Sequence, residues 1–488
     1  MMPSQPPITP EQLAALPPEF QALLRAVIDY YERRIAEYER RIGELEAQVA
    51  ALRKNSSNSS KPPSSDIVKP AKEPAAGRSR KQKRKRGGQP GHPRHERVAF
   101  PPEQVDQTCE YSLDACPDCG GELKGSAVTP RVIQQVEIVV QPIRVEEHRG
   151  LTHWCPKCRI THHAPLPPVV RQAGLTGPRL TALIAYLKGA CHASFSTIHK
   201  FLRDVMGVTI SCGQLAKLVQ KVSRSLQPSY EELLAALPAE DRMNVDETGH
   251  PDSGQRLWTW CFRAPLYTLF KIDPSRGSDV LLSVLGQEFD GLLGCDYFSA
   301  YRKYMRLNEK VAVQFCLAHF IRDVKFLVAH PDPANRRYGE LLLSHLRKLF
   351  GVIHRRREFA SAGSFRKTLT ATRNALVRDA IMALPDTRHA ANLADRFVDH
   401  HESYFRFITD PDIDPTNNLA EQAIRFVAIH RRITQGTRGA KGQRWCERIW
   451  TVLGTCAQQG RSAFDFLCQA ILADFQQTSP PRLLPDTS

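Results

Sequence analysis

The chain has 488 residues, 42% of them hydrophobic, and a formal charge of +16. That length predicts roughly three domains with at least one sizeable core, and the positive excess points to a polyanion, either nucleic acid or an anionic membrane. No apolar run approaches the roughly 18–20 residues of a membrane span, and the first residues lack a basic stretch followed by an apolar one, so membrane and secretory classes are excluded and a cytoplasmic DNA-binding protein, nucleoid-associated when bound, is expected.

After a flexible start (1–17), residues 18–54 read as a coiled coil. Leu24, Ile28, Tyr31, Ile35, Tyr38, Ile42, Leu45, Val49 and Leu52 alternate in steps of four and three, the period of a coiled-coil seam. Ile28, Ile35, Ile42 and Val49 occupy one core register, and Leu24, Leu45 and Leu52 the other. β-Branched residues in the first and Leu in the second favour a parallel dimer, against the alternative of a long helix packed on its own domain.

Residues 55–100 change character. Asn55–Asp66 (NSSNSSKPPSSD) is Ser-rich and broken by Pro62 and Pro63, so it cannot bury apolar surface. In the following run Arg78, Arg80, Lys81, Lys83, Arg84, Lys85 and Arg86 make seven of nine residues basic. Such a run is either a solubilising tail or a phosphate-binding arm. Beside a zinc module and a dimer helix, DNA contact is the better reading, without sequence specificity of its own. Gly87–His92 lacks the Gly-Lys-Ser/Thr ending of a nucleotide-binding loop.

Of thirteen cysteines, four form two Cys-x-x-Cys pairs, Cys116/Cys119 and Cys155/Cys158, separated by about 35 residues. Four thiolates at this spacing close a tetrahedral shell around Zn²⁺, which makes the metal structural. Residues 101–172 are therefore read as a zinc ribbon, a small DNA-binding domain that depends on metal to fold, with strands in Val132–Val145. Cys109, His153 and His162 lie close enough to replace one ligand, and buried free cysteines are the plain alternative. Residues 173–240 read as helical. Thr197–Val205, a turn at Gly207 and Gln214–Val219 capped by Ser211 match either a helix-turn-helix or two ordinary packed helices.

From residue 241 the pattern turns β-rich. Met243–Thr248, Leu257–Phe262 and Tyr267–Ile272 predict three strands, Ser278–Leu285 a helix, Leu292–Cys295 a fourth strand and, after a short helix, Val311–Phe315 a fifth. This is the element order of a ribonuclease-H-like core, assigned to 241–435. Asp246 ends the first strand, Asp296 ends the fourth, and Glu421 begins a helix. Three converging carboxylates form an oxygen cage for two Mg²⁺ or Mn²⁺ ions, roughly 4 Å apart, that activate a water or 3′-hydroxyl. Each acid has a plainer role available. Glu247 is an alternative to Asp246, but shares a strand face with Met243 and Val245. Asp296 is also placed to form a turn before Tyr297, and Glu421 stands three residues after Asn418, the spacing of a capping box.

These features coincide with a known pattern. The zipper, Asn55–Asp66, Arg84–His92, the two Cys-x-x-Cys knuckles, Val245–Gly249 (VDETG), Cys295–Tyr301 (CDYFSAY), Cys316–His319 (CLAH), Asn417–Arg425 (NNLAEQAIR) and Gly436–Gly442 (GTRGAKG) together resemble the large transposase of the insertion sequence 66 family. The resemblance covers nearly the whole chain. It implies that Asp246, Asp296 and Glu421 are a DDE triad cutting and joining DNA at the ends of an insertion sequence. It also implies a helical insertion at about 324–408, whose basic patches such as His354–Arg357 are placed to meet DNA or solvent.

His319 and Arg425 are supporting candidates. His319 is either a contact to the scissile phosphate or a satisfied helix-start histidine. Gln422 stands where family members commonly carry Arg. His430–Gly439 reads as a strand-positioning loop, and 436–488 as that loop's end followed by helices. Double-stranded DNA, a second copy of the chain and two small accessory proteins are the implied partners. The competing classes are a metal-dependent nuclease that does not join strands, and an inactive DNA-binding relic.

Overall fold

A computed structural model describes residues 12, 14–52 and 99–484 of the chain, apart from 111–112, 116, 122–131, 137, 140–141 and 158. Contacts divide the chain into two units, one of residues 71–147 with 202–208 and one of the remainder. In the smaller unit, a single helical turn spans Pro102–Gln104. The Gln134 side chain bridges the backbone of Phe100, accepting from its N–H at 2.6 Å and donating to its carbonyl at 2.9 Å. The strands expected in Val132–Val145 are not formed by the described residues of that stretch. Val132, Ile133, Val136, Ile138, Val139 and Val145 are each 65–85% exposed. A strand needs a paired edge or a covered face to hold, and high exposure leaves these side chains with little burial to favour one.

In the larger unit, α1 (Pro18–Leu52) is one uninterrupted helix. Its Ile28, Tyr31, Ile35, Tyr38, Ile42, Leu45, Val49 and Leu52 are all exposed. A short antiparallel pair follows, β1 (Thr152–Cys155) with β2 (Ile160–His163), in which His153 stands opposite His162. Helix α2 (Pro168–Ala173) falls in the stretch read as zinc ribbon, while α3 (Pro178–Gly189), α4 (Phe195–Met206, its residues from 202 on belonging to the smaller unit), α5 (Cys212–Ser225) and α6 (Gln227–Ala236) fill the segment expected to be helical. Gly207 (φ +69°) ends α4 in the left-handed region. Ser211 caps α5, accepting from Gln214 N–H at 3.2 Å.

The sheet runs β3 (Arg242–Asp252), β4 (Gln255–Arg263), β5 (Thr268–Asp273), β6 (Leu292–Cys295) and β7 (Ala312–Phe315) in chain order. Its spatial order is β5-β4-β3-β6-β7. β3, β4 and β5 are antiparallel neighbours, whereas β6 and β7 run parallel to β3. The two parallel steps need crossovers, supplied by α7 (Ser278–Leu285) between β5 and β6 and by α8 (Ser299–Leu307) between β6 and β7. At Gly294 on β6 an added Cβ would displace the Asn244 side chain of β3.

Helices α9 (Leu317–Val328), α10 (Pro333–His354), α11 (Ala362–Met382) and α12 (Arg388–Phe405) come between β7 and α13 (Asn418–Thr434). The chain ends in α14 (Ala440–Gln458) and α15 (Ala463–Gln476).

Register puts the two sheet faces in different company. Glu247 pairs with Trp260, whose ring meets Tyr301 of α8. Asp246 pairs with Cys261, which pairs with Phe270, and Trp450 of α14 packs on Phe270 and His250. Helix α14 also closes the sheet edge. Thr455 and Thr451 hydroxyls and the Glu447 carboxylate accept the outward N–H groups of Thr268, Phe270 and Ile272 at 3.2, 3.0 and 2.7 Å. Spacing of four residues on the helix meets spacing of two on the strand, so each unpaired donor of β5 finds an acceptor.

Candidate active site

Asp246, Asp296 and Glu421 line one cleft of about 220 Å³, together with Glu247, Thr248, Arg276, His319, Arg322, Ile424, Arg425, Arg431 and Arg432. Asp246 comes from the middle of β3, and Asp296 from the residue after β6, which runs beside β3. Glu421 comes from the first turn of α13, whose N-terminal positive end favours a carboxylate. A helix packed on β3 thus brings an acid distant in sequence to the two strand acids.

The loop before α13 is fixed by Asn417. Its Nδ2 donates to Val245 O at 2.8 Å, its Oδ1 accepts from Asn244 Nδ2 at 2.8 Å, and its backbone N–H reaches Cys316 Sγ at 3.1 Å. Asn417 makes no side-chain cap on α13, and Asn418 is already the first helical residue, so Glu421 is free of the capping-box role its spacing allowed. Instead, Glu421 Oε2 accepts from Arg322 at 3.2 Å, while its Oε1 lies 3.4 Å from His319 Nδ1. Both Oε1 and Nδ1 are buried without a hydrogen bond. His319 Nδ1 thus faces Glu421 at the start of α9 without a hydrogen bond.

Electrostatics single out the strand acids. Burial, then the neighbouring charges of Glu247, Asp296 and Glu421, push the Asp246 carboxyl well above the usual range. Burial and the Glu247 charge push Asp296 up to about 7, although Phe298 N–H, donating to Asp296 Oδ1 at 2.9 Å, favours the carboxylate. That hydrogen bond is the turn role open to Asp296, so turn and cleft roles coexist. Burial, then the Arg322 charge, lower His319 to about 4, leaving a neutral imidazole at neutral pH.

Glu247 is the acid with conventional partners. Its Oε1 accepts from Arg276 at 2.7 and 2.9 Å, and its Oε2 from Tyr301 OH at 2.6 Å. Arg276 is further held over the rings of Trp258 and Phe298, 4.5 and 3.8 Å from their centroids.

Two buried strand carboxyls raised by burial and neighbouring acidic charges, with an orphaned carboxylate oxygen beside them, form a donor set that a hard divalent cation would relieve. Asp246, Asp296 and Glu421 therefore fit Mg²⁺ or Mn²⁺. Cys316, His319 and Glu421 also bring ligand atoms within 4.8 Å of one another. The Cys316 thiol, however, is pushed up to about 11 by burial and already accepts the Asn417 N–H.

Besides the triad and His319, Arg425 is the other sequence candidate among the described residues that lines this cleft. Arg78, Arg80, Lys81, Lys83, Arg84, Lys85 and Arg86 lie outside the described residues, as do Cys116, Cys158 and the Cys155 side chain. Cys119 is exposed. Arg425 is exposed at the cleft rim. Sequence reasoning missed Arg276, Arg322 and Asn417, and it had Arg431 in a loop, His430–Gly439, whose first residues instead continue α13 to Thr434. Arg322 stands one helical turn after His319, a spacing that could have flagged it, and Asn417 stood inside a recognised motif. Arg276 precedes α7 in a loop with no periodic signal. Arg431 donates to Thr248 Oγ1 at 2.9 Å and to the Gly249 carbonyl, tying α13 to β3.

Comparison with known proteins gives two family matches. Residues 173–444 match the family described as "Transposase IS66 family". Residues 7–98 match a family of unknown function, DUF6444. Among individual relatives, the uncharacterized protein y4qI of Sinorhizobium fredii (strain NBRC 101917 / NGR234) is 25% identical over 338 residues, 62% of this chain and 61% of y4qI. The uncharacterized protein y4jD of the same organism is 23% identical over 409 residues, 77% of this chain and 78% of that one. The uncharacterized protein y4hP, also from that organism, is 22% identical over 406 residues, 76% of this chain and 72% of that one.

Proposed function

The chain belongs to the IS66 family of transposases, and from that membership we propose that it cuts and joins DNA at the ends of an insertion sequence, with Asp246, Asp296 and Glu421 as its metal-binding triad. The observation that carries this reading is the meeting of those three acids in one cleft, where burial and the charges of neighbouring acids, Glu247 first among them, raise the two strand carboxyls. We read the β5-β4-β3-β6-β7 sheet, with its antiparallel and parallel halves, as a ribonuclease-H-like core, and α9–α12 as a helical insertion in it.

Mg²⁺ or Mn²⁺ held by the triad would supply charge neutralisation, an activated oxygen nucleophile and stabilisation of the leaving oxygen. The chain's own residues do the positioning. Asn417 fixes the approach of α13 to β3, and therefore where Glu421 meets Asp246. Arg322 orients the Glu421 carboxylate. Arg425 and Arg432 are exposed at the cleft and are placed to hold DNA phosphates. Glu247, paired with Arg276 and Tyr301, supports the β3 end of the site. His319 offers a neutral imidazole to the cleft.

Around the core, the exposed apolar seam of α1 supports pairing of two copies, which would hold both element ends in one complex. The spacing of Cys116, Cys119, Cys155 and Cys158 supports a structural Zn²⁺. The basic run Arg78–Arg86 supports a non-specific DNA arm. No helix of the described residues is long and apolar enough to cross a membrane. Two small accessory proteins complete the expected partners.

The test is a strand-transfer assay with end DNA, a supercoiled target and Mg²⁺ or Mn²⁺. Metal-dependent joined product, lost in Asp246→Ala and Glu421→Ala, is the expected outcome. Nicks without joining would move the protein to the nuclease class.

A further inference from the structure

A second cavity of about 330 Å³ is lined by Gln220, Ser223, Arg224, Gln227, Lys441, Arg444 and Arg448. Four cations and no carboxylate line it. Lys441, Arg444 and Arg448 fall at spacings of three and four on α14, so they share one helix face. Arg224 comes from the last turn of α5, which packs against α14. Arg448 is 9% exposed and forms the floor, with its guanidinium donating to Ser223 O at 2.8 Å and Ser223 Oγ at 3.3 Å. Arg224, Lys441 and Arg444 are exposed at the rim. Among the described residues none of the four makes an ion pair within 4.0 Å.

Two acids, Glu231 and Glu447, act on Arg448 through their charge, but neither lines the cavity. Glu231 accepts from Gln227 Nε2 at 2.7 Å, and Glu447 accepts from Ile272 N–H at 2.7 Å. Four like charges around a cavity repel one another, and burying the Arg448 guanidinium with no ion pair within 4.0 Å costs free energy. Both costs are offset if an anion enters.

Resting on the transposase reading above, we infer that this cavity holds a backbone phosphodiester of DNA, outside the acidic cleft. An open rim of three long cationic side chains suits a strand passing across the surface, with one phosphate seated on Arg448. Only residues 435–439 separate the acid-bearing helix α13 from α14, so the cavity continues the element that supplies Glu421.

The experiment measures affinity of the full-length protein for a labelled duplex across a series of NaCl concentrations. The Arg224→Ala/Arg444→Ala variant keeps buried Arg448 in place, and its unfolding midpoint checks that the fold survives. The expected result is binding weakened about tenfold and a log–log salt slope shallower by roughly 1, since each phosphate contact contributes about 0.9 to that slope. A charge-matched control, Arg347→Ala/Lys348→Ala on exposed positions of α10, should leave the slope unchanged.

Equal losses in the two variants would overturn the inference in favour of a diffuse electrostatic footprint. So would an unchanged slope with inorganic pyrophosphate raising the melting temperature of the parent protein but not of the variant; the cavity would then take a free anion. The readout is binding alone, so it fails separately from the strand-transfer test of the triad.

Discussion

Asn417 donates a hydrogen bond to the carbonyl of Val245, at 2.8 Å, and so ties the start of the Glu421 helix to the strand position just before Asp246. The two residues are far apart in the chain, and this contact sets how closely their acidic neighbours approach. Asn417 is 1% exposed, so its amide has no water to fall back on. Asn417→Ala removes a donor from Val245 O and an acceptor from Asn244 Nδ2. The expected cost is about 1–3 kcal/mol for each group left unsatisfied. Strand cleavage should fall further than the unfolding free energy accounts for, because the acids lose their register. Parallel urea denaturation and cleavage assays check it, and cleavage that tracks the folded fraction alone would remove the positioning role.

Asp296 illustrates stability given up for a site. Burial and the Glu247 charge hold its carboxyl up at about 7, so its ionisation at higher pH works against the folded state. Asp296→Asn removes that charge while keeping an oxygen to accept from Phe298 N–H. At pH 8 without divalent metal, the variant should be more stable than the parent by on the order of 2 kcal/mol, since one pKa unit corresponds to about 1.4 kcal/mol. Millimolar Mg²⁺ should raise the parent's unfolding midpoint and leave the variant's nearly unmoved. A variant no more stable than the parent in metal-free buffer would count against the strain.

Much of this arrangement was legible in the chain. The strands around Asp246 and Asp296 follow from alternating apolar residues, and α7 and β6 begin and end where the pattern placed them, because both are buried and bounded by polar or Gly residues. Glu421 was legible as a helix-start acid. What it faces was not, since a local capping box and a distant partner share one spacing. Arg276 and Arg322 were missed because their roles arise from three-dimensional neighbours, Glu247 in one case and Glu421 in the other. The Val132–Val145 stretch misled because β-branched residues favour a strand only where they are half-buried, and the described ones are exposed.

The sealing of the β5 edge by α14 is also invisible to periodicity, and it can be measured. Thr451→Val keeps the volume but removes the acceptor for Phe270 N–H, which has no other partner in the sheet. A loss of about 1–3 kcal/mol is expected, the cost of a buried unsatisfied amide. Amide exchange at Phe270 should accelerate more than at Phe262 on β4, whose backbone is paired on both sides. Uniform acceleration would mean that the helix stabilises the sheet only by apolar packing.

Two histidines make the same region acid-sensitive. His430 is lowered to about 3 by burial, then by the charges of His192, Lys188 and His250. His250 is lowered to about 4, chiefly by burial, with Arg431 also lowering it. Thr437 Oγ1 donates to Asp252 at 2.7 Å, so it accepts from His250 Nε2 at 2.9 Å; His250 Nδ1 then accepts from Thr259 Oγ1 at 3.1 Å. Both rings are therefore neutral in the folded state and titrate near 6.5 once unfolded. Their contribution is fully present above about 6.5 and is lost as pH falls towards the folded values. At pH 5 each costs up to about 2 kcal/mol relative to pH 7. In His430→Asn the fall of stability between pH 6 and 4.5 should be shallower by about 1.4 kcal/mol per pH unit, one proton's share. An unchanged slope would show that His430 binds no extra proton on unfolding.

The coiled-coil seam gives a prediction that does not depend on catalysis. Along α1, Ile28, Ile35, Ile42 and Val49 are each 41–56% exposed, an apolar stripe with nothing among the described residues laid over it. Exposed aliphatic residues at this period gain roughly 25 cal/mol for every Å² they bury against a partner helix. Lysine at Ile35 and Ile42 would place charges within that stripe. The expected mass by light scattering is then a monomer for Ile35→Lys/Ile42→Lys and a larger assembly for the parent chain at the same concentration. Because both positions lie far along the chain from the acidic cleft, Mg²⁺-dependent thermal stabilisation should survive in the variant. A parent chain that is already monomeric would remove the pairing of element ends through α1, and with it the simplest account of why such a long, solvent-facing helix carries isoleucine at every seventh position from 28 to 42.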